Sequence, residues 1–201
     1  MKRFPLGRPA RMAVMASGRG SNLEALLKAF PPDHPLGRIV LVISDRREAL
    51  ALQKAVEAQV EAQCVPWPKR QGLAGREQFE RVVSQLLHDR RIDLILLAGF
   101  MRLLSPEFVQ AWEGRILNIH PSLLPQFPGL FAQRQALEAG VSETGCTVHF
   151  VDAGMDTGPI VLQRRVPVLP GDTVETLADR ILQQEHLAYP EAVRRVLRGE
   201  V

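Results

Sequence analysis

The sequence predicts an α/β fold, a mostly parallel twisted sheet with helices on both faces and a mixed, antiparallel C-terminal edge. Two observations carry this expectation. From Met12 onward, short apolar runs alternate with helically periodic stretches, the pattern of right-handed βαβ crossovers. After Pro128 the alternation gives way to two extended runs joined by a short glycine-containing loop, which suits antiparallel pairing.

MAVMA reads as the first strand and SNLEALLKAF as the helix after it, followed by the strand RIVLVIS and the helix REALALQKAVEAQ. A brief AQCVPW strand, a helix around Glu77 to His88, the strand DLILLAG, a helix near 105–112 and the strand RILNIH continue the cycle. A helix near 132–139 leads to CTVHFV and PIVLQRRVPV. The last helix starts from the N-cap candidate Asp172 and carries Val174, Leu177, Ala178, Ile181 and Leu182 at core spacing. The arrangement is Rossmann-like. Residues 1–11 are expected to form a basic flexible tail, and 12–201 a single domain.

With 46% hydrophobic and 23% charged residues in 201, the chain can bury a substantial core, which excludes disordered, collagenous and disulfide-scaffold classes. The longest apolar run, Leu94 to Met101, falls far short of the roughly 18 residues of a membrane span, and the N-terminus lacks a signal core. A cytoplasmic protein without a membrane partner is the expectation. Cys64 and Cys146 have no CxxC spacing, so neither a disulfide framework nor a metal site is expected. The net charge of +3 raises the question of a nucleic-acid partner. Lys2, Arg3, Arg8 and Arg11 lie in the first eleven residues with no acid among them; the remaining 21 bases face 22 acids, a net of −1. A nearly neutral body argues against nucleic acid, and attraction for an anionic substrate must be local.

Three segments could carry chemistry. The turn Ala16-Ser17-Gly18-Arg19-Gly20-Ser21-Asn22 joins a strand to a helix, where glycines and free N–H groups can cradle a phosphate. It matches neither a Walker A loop nor the three-glycine dinucleotide pattern, and a plain turn capped by Ser21 is equally compatible. In Leu117-Asn118-Ile119-His120, alternation points Asn118 and His120 to one face and Leu117 and Ile119 to the core. This places a polar pair at a strand's carboxyl end, followed by a proline-stiffened loop. The loop Asp152 to Pro159 offers Asp152 and Asp156; a carboxylate beside an imidazole favours and orients its protonated form, although Asp and Gly merely making a turn is the simpler reading of this loop alone. His149 alternates with apolar neighbours and fits a packed position on either face, and Glu185, late in the last helix, is a position where glutamate is usually solvated.

The strings SGRGSNLEAL, LAGFMRLLSP, LNIHPSLLPQFPG, GMDTGPI and QQEHLAYP, in this order, resemble the phosphoribosylglycinamide formyltransferase family of folate-dependent enzymes. The resemblance runs from about Met12 to Leu197. It implies transfer of the formyl group of 10-formyltetrahydrofolate to the amine of glycinamide ribonucleotide in purine synthesis, with Asn118, His120 and Asp156 as the catalytic trio. Gly20, Ser21, Asn22 and Glu185 are implied to bind the ribonucleotide. Arg76, Met101, Arg102, Leu103, Leu104, Asn118, Asp152 and Asp156 are implied to bind the formyl donor. Asn118 and protonated His120 would stabilise the formyl oxygen during direct transfer, with Asp156 orienting His120; no metal is implied, and a monomer or homodimer is compatible. The sequence departs from the family's usual Gly-Leu-His-x-His at Gly129-Leu130-Phe131-Ala132-Gln133, which puts nearby substrate contacts in question. The alternatives are a 10-formyltetrahydrofolate hydrolase and a non-catalytic sugar-phosphate or folate-binding module. The hydrolase branch usually adds an N-terminal domain, and the related methionyl-tRNA formyltransferases add a C-terminal one for which 201 residues leave no room.

Overall fold

A computed structural model describes residues 4–68 and 72–201. Seven strands form one sheet in the order β3-β2-β1-β4-β5-β6-β7. Strands β1 (Ala10–Met15), β2 (Gly37–Ser44), β3 (Glu61–Cys64), β4 (Leu94–Leu97) and β5 (Ile116–His120) are mutually parallel. Strands β6 (Glu143–Phe150) and β7 (Ile160–Pro167) add the antiparallel edge. The expected mixed architecture is therefore observed.

Alternation along β1 builds two cores. Met12, Val14 and Ala16 join one cluster with α1 (Ser21–Ala29), α2 (Leu50–Glu57), α5 (Ala132–Glu138) and α6 (Val174–Arg198). Ala13 and Met15 join the other with α3 (Gly72–Asp89) and α4 (Pro106–Ala111). Helices cover both faces because the central parallel strands are apolar on both. The sheet reverses its winding between β1 and β4, so the loops leaving their carboxyl ends part to opposite faces and open a crevice.

Three expectations are corrected. The boundary at residue 11 falls inside β1, and part of the expected tail is packed: Phe4 and Leu6 lie against the core, and Arg8 grips the buried Asp93 carboxylate through contacts of 2.7 and 3.0 Å. Residues 1–3 lie outside the described residues. The cap of α6 is Thr173, not Asp172; Thr173 and Thr176 form a reciprocal capping box, while Asp172 is held by Arg180 at 2.6 and 2.8 Å. Helix α3 also starts five residues earlier than expected.

Helix α6 is fastened to the sheet by Tyr189, fully buried, whose hydroxyl lies 2.9 Å from Leu97 O at the carboxyl end of β4 and 3.0 Å from Leu117 O within β5. Replacing Tyr189 by phenylalanine is expected to cost about 1–3 kcal/mol, because two buried carbonyls lose their shared donor. Urea unfolding of the variant reads this directly; an unchanged midpoint would contradict it.

Candidate active site

At the carboxyl end of β1 the chain turns through Gly20, the N-cap of α1, with φ 70° and no side-chain cap hydrogen bond. Ser21, expected as the cap, is instead the first helical residue. A Cβ at Gly20 would sit 2.8 Å from Ala51 Cα, and Gly18 O accepts a hydrogen bond from Ala51 N at 3.1 Å, so the turn is pressed against α2 and admits only glycine there. Without a capping side chain, the first amides of α1 face the turn, the geometry that receives an anion. One residue on, Asn22 Nδ2 donates to Glu185 Oε2 at 2.7 Å, while Asn22 Oδ1 is buried without a partner among the described residues. Burial pushes the Glu185 carboxyl above the ordinary range, and the Asn22 bond only partly offsets it. Burial together with the Glu185 charge pushes the Cys146 thiol up to about 12.

The second cluster forms where β5 pairs with β6. Leu117 and Ile119 enter the core, so Asn118 and His120 share the opposite face. Antiparallel register sets His149 directly across from Asn118, and directly opposed side chains share a face. Asn118 Nδ2 lies 3.2 Å from His149 Nε2, and His149 Nδ1 lies 2.8 Å from Phe150 O.

Asp156 arrives from the β6–β7 loop and bridges both histidines. Its Oδ2 lies 3.4 Å from His120 Nδ1 and its Oδ1 3.6 Å from His149 Nε2. Gly129 N donates to Oδ2 at 2.8 Å. Burial raises the Asp156 carboxyl, but the His149 contact, the Gly129 amide and the His120 charge outweigh it and hold it below its ordinary value. His120 Nε2 faces Phe127 O at 2.9 Å, so both ring nitrogens of this buried histidine look at oxygen atoms. Asp156 and Phe127 have φ of 56° and 53°. Left-handed conformations of this kind cost on the order of 1 kcal/mol each and recur at functional loops.

Between this cluster and the loop after β4 lies a cleft of about 130 Å³. Arg102, Leu103 and Leu104 line it on one side, and Asn118, Asp152 and Asp156 on the other. Its size is below the ~300–1,000 Å³ usual for small-molecule sites. Met101 is anchored outside the lining by its amide, which donates to Ser17 Oγ at 2.9 Å, and its side chain is exposed. Arg76, half-buried on α3, is likewise not in the wall. Asp152 closes its own loop by accepting from Gly154 N and Thr157 Oγ1 at 3.0 and 2.8 Å, the turn-forming role also anticipated for this segment. Phe131 is exposed under Arg134, and neither it nor Gln133 bonds to the trio.

Two larger cavities of about 830 and 780 Å³ are present: the first, beside α4 and the C-terminal end, shares Val109, Val151, Asp152 and Ala153 with the cleft, and the second lies among arginines at the amino edge of the sheet. Neither brings together coupled titratable groups as the His–Asp–His cluster does, and chemistry outranks volume here. Among the described residues, no group of three or more His, Cys, Asp or Glu could hold a metal ion, and no helix is long and apolar enough to cross a membrane.

A doubly wound sheet with an anion-ready turn at its switch point and a partly buried Asn–His–Asp cluster at the carboxyl end of β5 defines an α/β protein with a small-molecule site. The formyl transferase family matches residues 10–193, and the chain belongs to that family. It is 41% identical over 179 residues to the phosphoribosylglycinamide formyltransferase of Escherichia coli, covering 89% of this chain and 83% of that protein. It is 48% identical to the trifunctional purine biosynthetic protein adenosine-3 of Drosophila pseudoobscura over 192 residues, 94% of this chain but only 14% of that protein's length. The crystal structure of glycinamide ribonucleotide transformylase 1 from Geobacillus kaustophilus superposes with a TM-score of 0.87 at 46% identity, covering 94% of this chain and 99% of that one.

Proposed function

We propose that the protein transfers the formyl group of 10-formyltetrahydrofolate to the primary amine of 5'-phosphoribosylglycinamide. The observation that carries the reading is the meeting of Asn118 and Asp156, with His120 3.4 Å from Asp156, at a cleft whose far wall is the 102–104 loop. The apolar side chains of Leu103 and Leu104 fit a flat ring system, and the 152–156 backbone supplies polar edges to it. Arg76 and Met101, outside the enclosed wall, are left for parts of the donor that extend beyond it.

The Gly20–Asn22 turn takes the phosphate, and Glu185 supplies an acceptor for the amine end. The neutral amine nitrogen attacks the formyl carbon, forming the new C–N bond and placing negative charge on the formyl oxygen. The Asn118 amide and His120 Nδ1 donate to that oxygen; at 3.4 Å from Asp156, the Nδ1 proton is not committed to a full hydrogen bond. Asp156 keeps the imidazolium in place. Collapse breaks the bond between the formyl carbon and the folate nitrogen, which receives the proton lost by the attacking amine. Atoms and charge balance without metal or redox chemistry.

The test incubates the protein with 10-formyltetrahydrofolate in the presence and absence of phosphoribosylglycinamide. Release of tetrahydrofolate that depends on the amine is expected. Release without it identifies a hydrolase instead, and binding without release identifies a non-catalytic module; either outcome overturns the proposal.

A further inference from the structure

The loop from Gly99 to Ser105 that walls the cleft is held by three side chains from three different elements. Ser17, after β1, accepts from Met101 N at 2.9 Å. Glu80, buried on α3, accepts from Ser105 N at 2.6 Å and from Ser105 Oγ at 2.5 Å. Asp45, at the end of β2, accepts from Arg102 Nε at 2.6 Å. The first two fasten backbone or a buried hydroxyl, whereas Asp45 alone grips a side chain that faces the cleft.

We infer that Asp45 is a positioning residue of the formyl-donor cleft, acting through Arg102. The inference rests on the proposed assignment of that cleft to the donor. Asp45 and Arg102 lie in the loops after β2 and β4, strands separated by β1, so their contact spans the point where the sheet reverses. The carboxylate is fully buried while Arg102 is 31% exposed, making the acid the fixed partner and the arginine the adjustable one. Trp67, beyond β3, backs the guanidinium at 5.1 Å from its ring centroid. A guanidinium held through Nε on one side and stacked on an indole on another has given up most of its rotamer freedom. Its two terminal nitrogens, with no hydrogen-bond partner among the described residues, form a fork at the cleft edge suited to a carboxylate on the donor.

A purely structural role does not account for the pair. Asp45 Oδ1 is buried without a partner among the described residues, so the Oδ2 bond to Arg102 is the side-chain bond that holds this carboxylate there. A carboxylate whose side-chain bond fixes the direction of a cleft-facing cation acts on binding. Ordering Arg102 before the donor arrives removes part of the entropy that binding would otherwise lose.

The experiment is a double-mutant cycle on the full chain, read as KM for 10-formyltetrahydrofolate, KM for the amine substrate, kcat and Tm. Asp45→Ala is expected to raise the donor KM about tenfold, with kcat within about twofold, the amine KM unchanged and Tm not lowered. Asp45→Asn, which keeps the shape of the side chain, should show the same pattern more weakly. In an Arg102→Ala background, itself raised in donor KM, Asp45→Ala should add nothing. Losses that multiply in the double variant, or Asp45 variants with wild-type donor KM beside a defective Arg102→Ala, overturn the inference and leave the donor assignment standing. A wild-type donor KM in Arg102→Ala overturns the assignment of this wall to the donor, and the inference with it.

Discussion

His120→Ala is expected to lower kcat about 10²–10³-fold while leaving the protein folded, because one oxyanion donor is worth about 3–4 kcal/mol of barrier. The stability loss should be far smaller. His120 is buried, but its neighbours keep other support: Phe127 O also lies 3.3 Å from Ser122 Oγ, and Asp156 keeps the Gly129 amide and His149. Asp156→Asn should produce a loss of the same order by a different route. The amide preserves volume and can still accept from Gly129, yet it presents no negative charge to His120 and holds the protonated ring less firmly. Because both changes act on one imidazolium, the double variant should be little worse than the poorer single one. Rapid-quench or steady-state release of tetrahydrofolate at saturating substrates, with circular dichroism on each variant, checks all three. A folded variant of either residue with near wild-type kcat, or a double loss equal to the product of the singles, would remove the trio from the chemistry.

The trio was partly legible in the sequence, and the reason is geometric. Alternation on β5 is a local property, so Asn118 and His120 could be placed on one face from residue spacing alone. Asp156 was assigned through family resemblance, since nothing local says that a loop 36 residues later folds back onto His120. His149 was underweighted because its partner depends on the β5–β6 register, which no spacing rule supplies; the available signal was the pair Thr147 and His149, two polar residues on one face of an apolar strand. The Asp45–Arg102 contact was invisible for the same reason in stronger form, joining strands that are neither consecutive nor adjacent. Charge counting treated residues 1–11 as a detachable tail, whereas Arg8 belongs to Asp93 and Phe4 to the core. A composition sum cannot see which charges are paired. The cap of α6 was missed by one residue because Asp172 and Thr173 are both good capping types, and Arg180 competes for the aspartate.

Glu185→Gln should separate stability from binding. Burial raises the folded-state pKa of Glu185, so the folded protein binds this proton more tightly than the unfolded chain does. The sign follows from linkage: stability falls as pH rises from the unfolded carboxyl value, near 4.3, towards the raised folded value, and the penalty is complete above it. Glutamine does not titrate and can still accept from Asn22 Nδ2. The variant should therefore be more stable than wild type at neutral pH, with the difference shrinking as pH is lowered through that window. Binding should move the other way. Removing a buried charged acceptor from the amine end is expected to raise the KM for phosphoribosylglycinamide ~10- to 100-fold and to leave the KM for the formyl donor unchanged. Thermal unfolding across pH 4 to 8 and initial-rate kinetics with each substrate varied decide it. A stability difference independent of pH would show that the carboxyl is not strained by burial, and an unchanged amine-substrate KM would take Glu185 out of the substrate site.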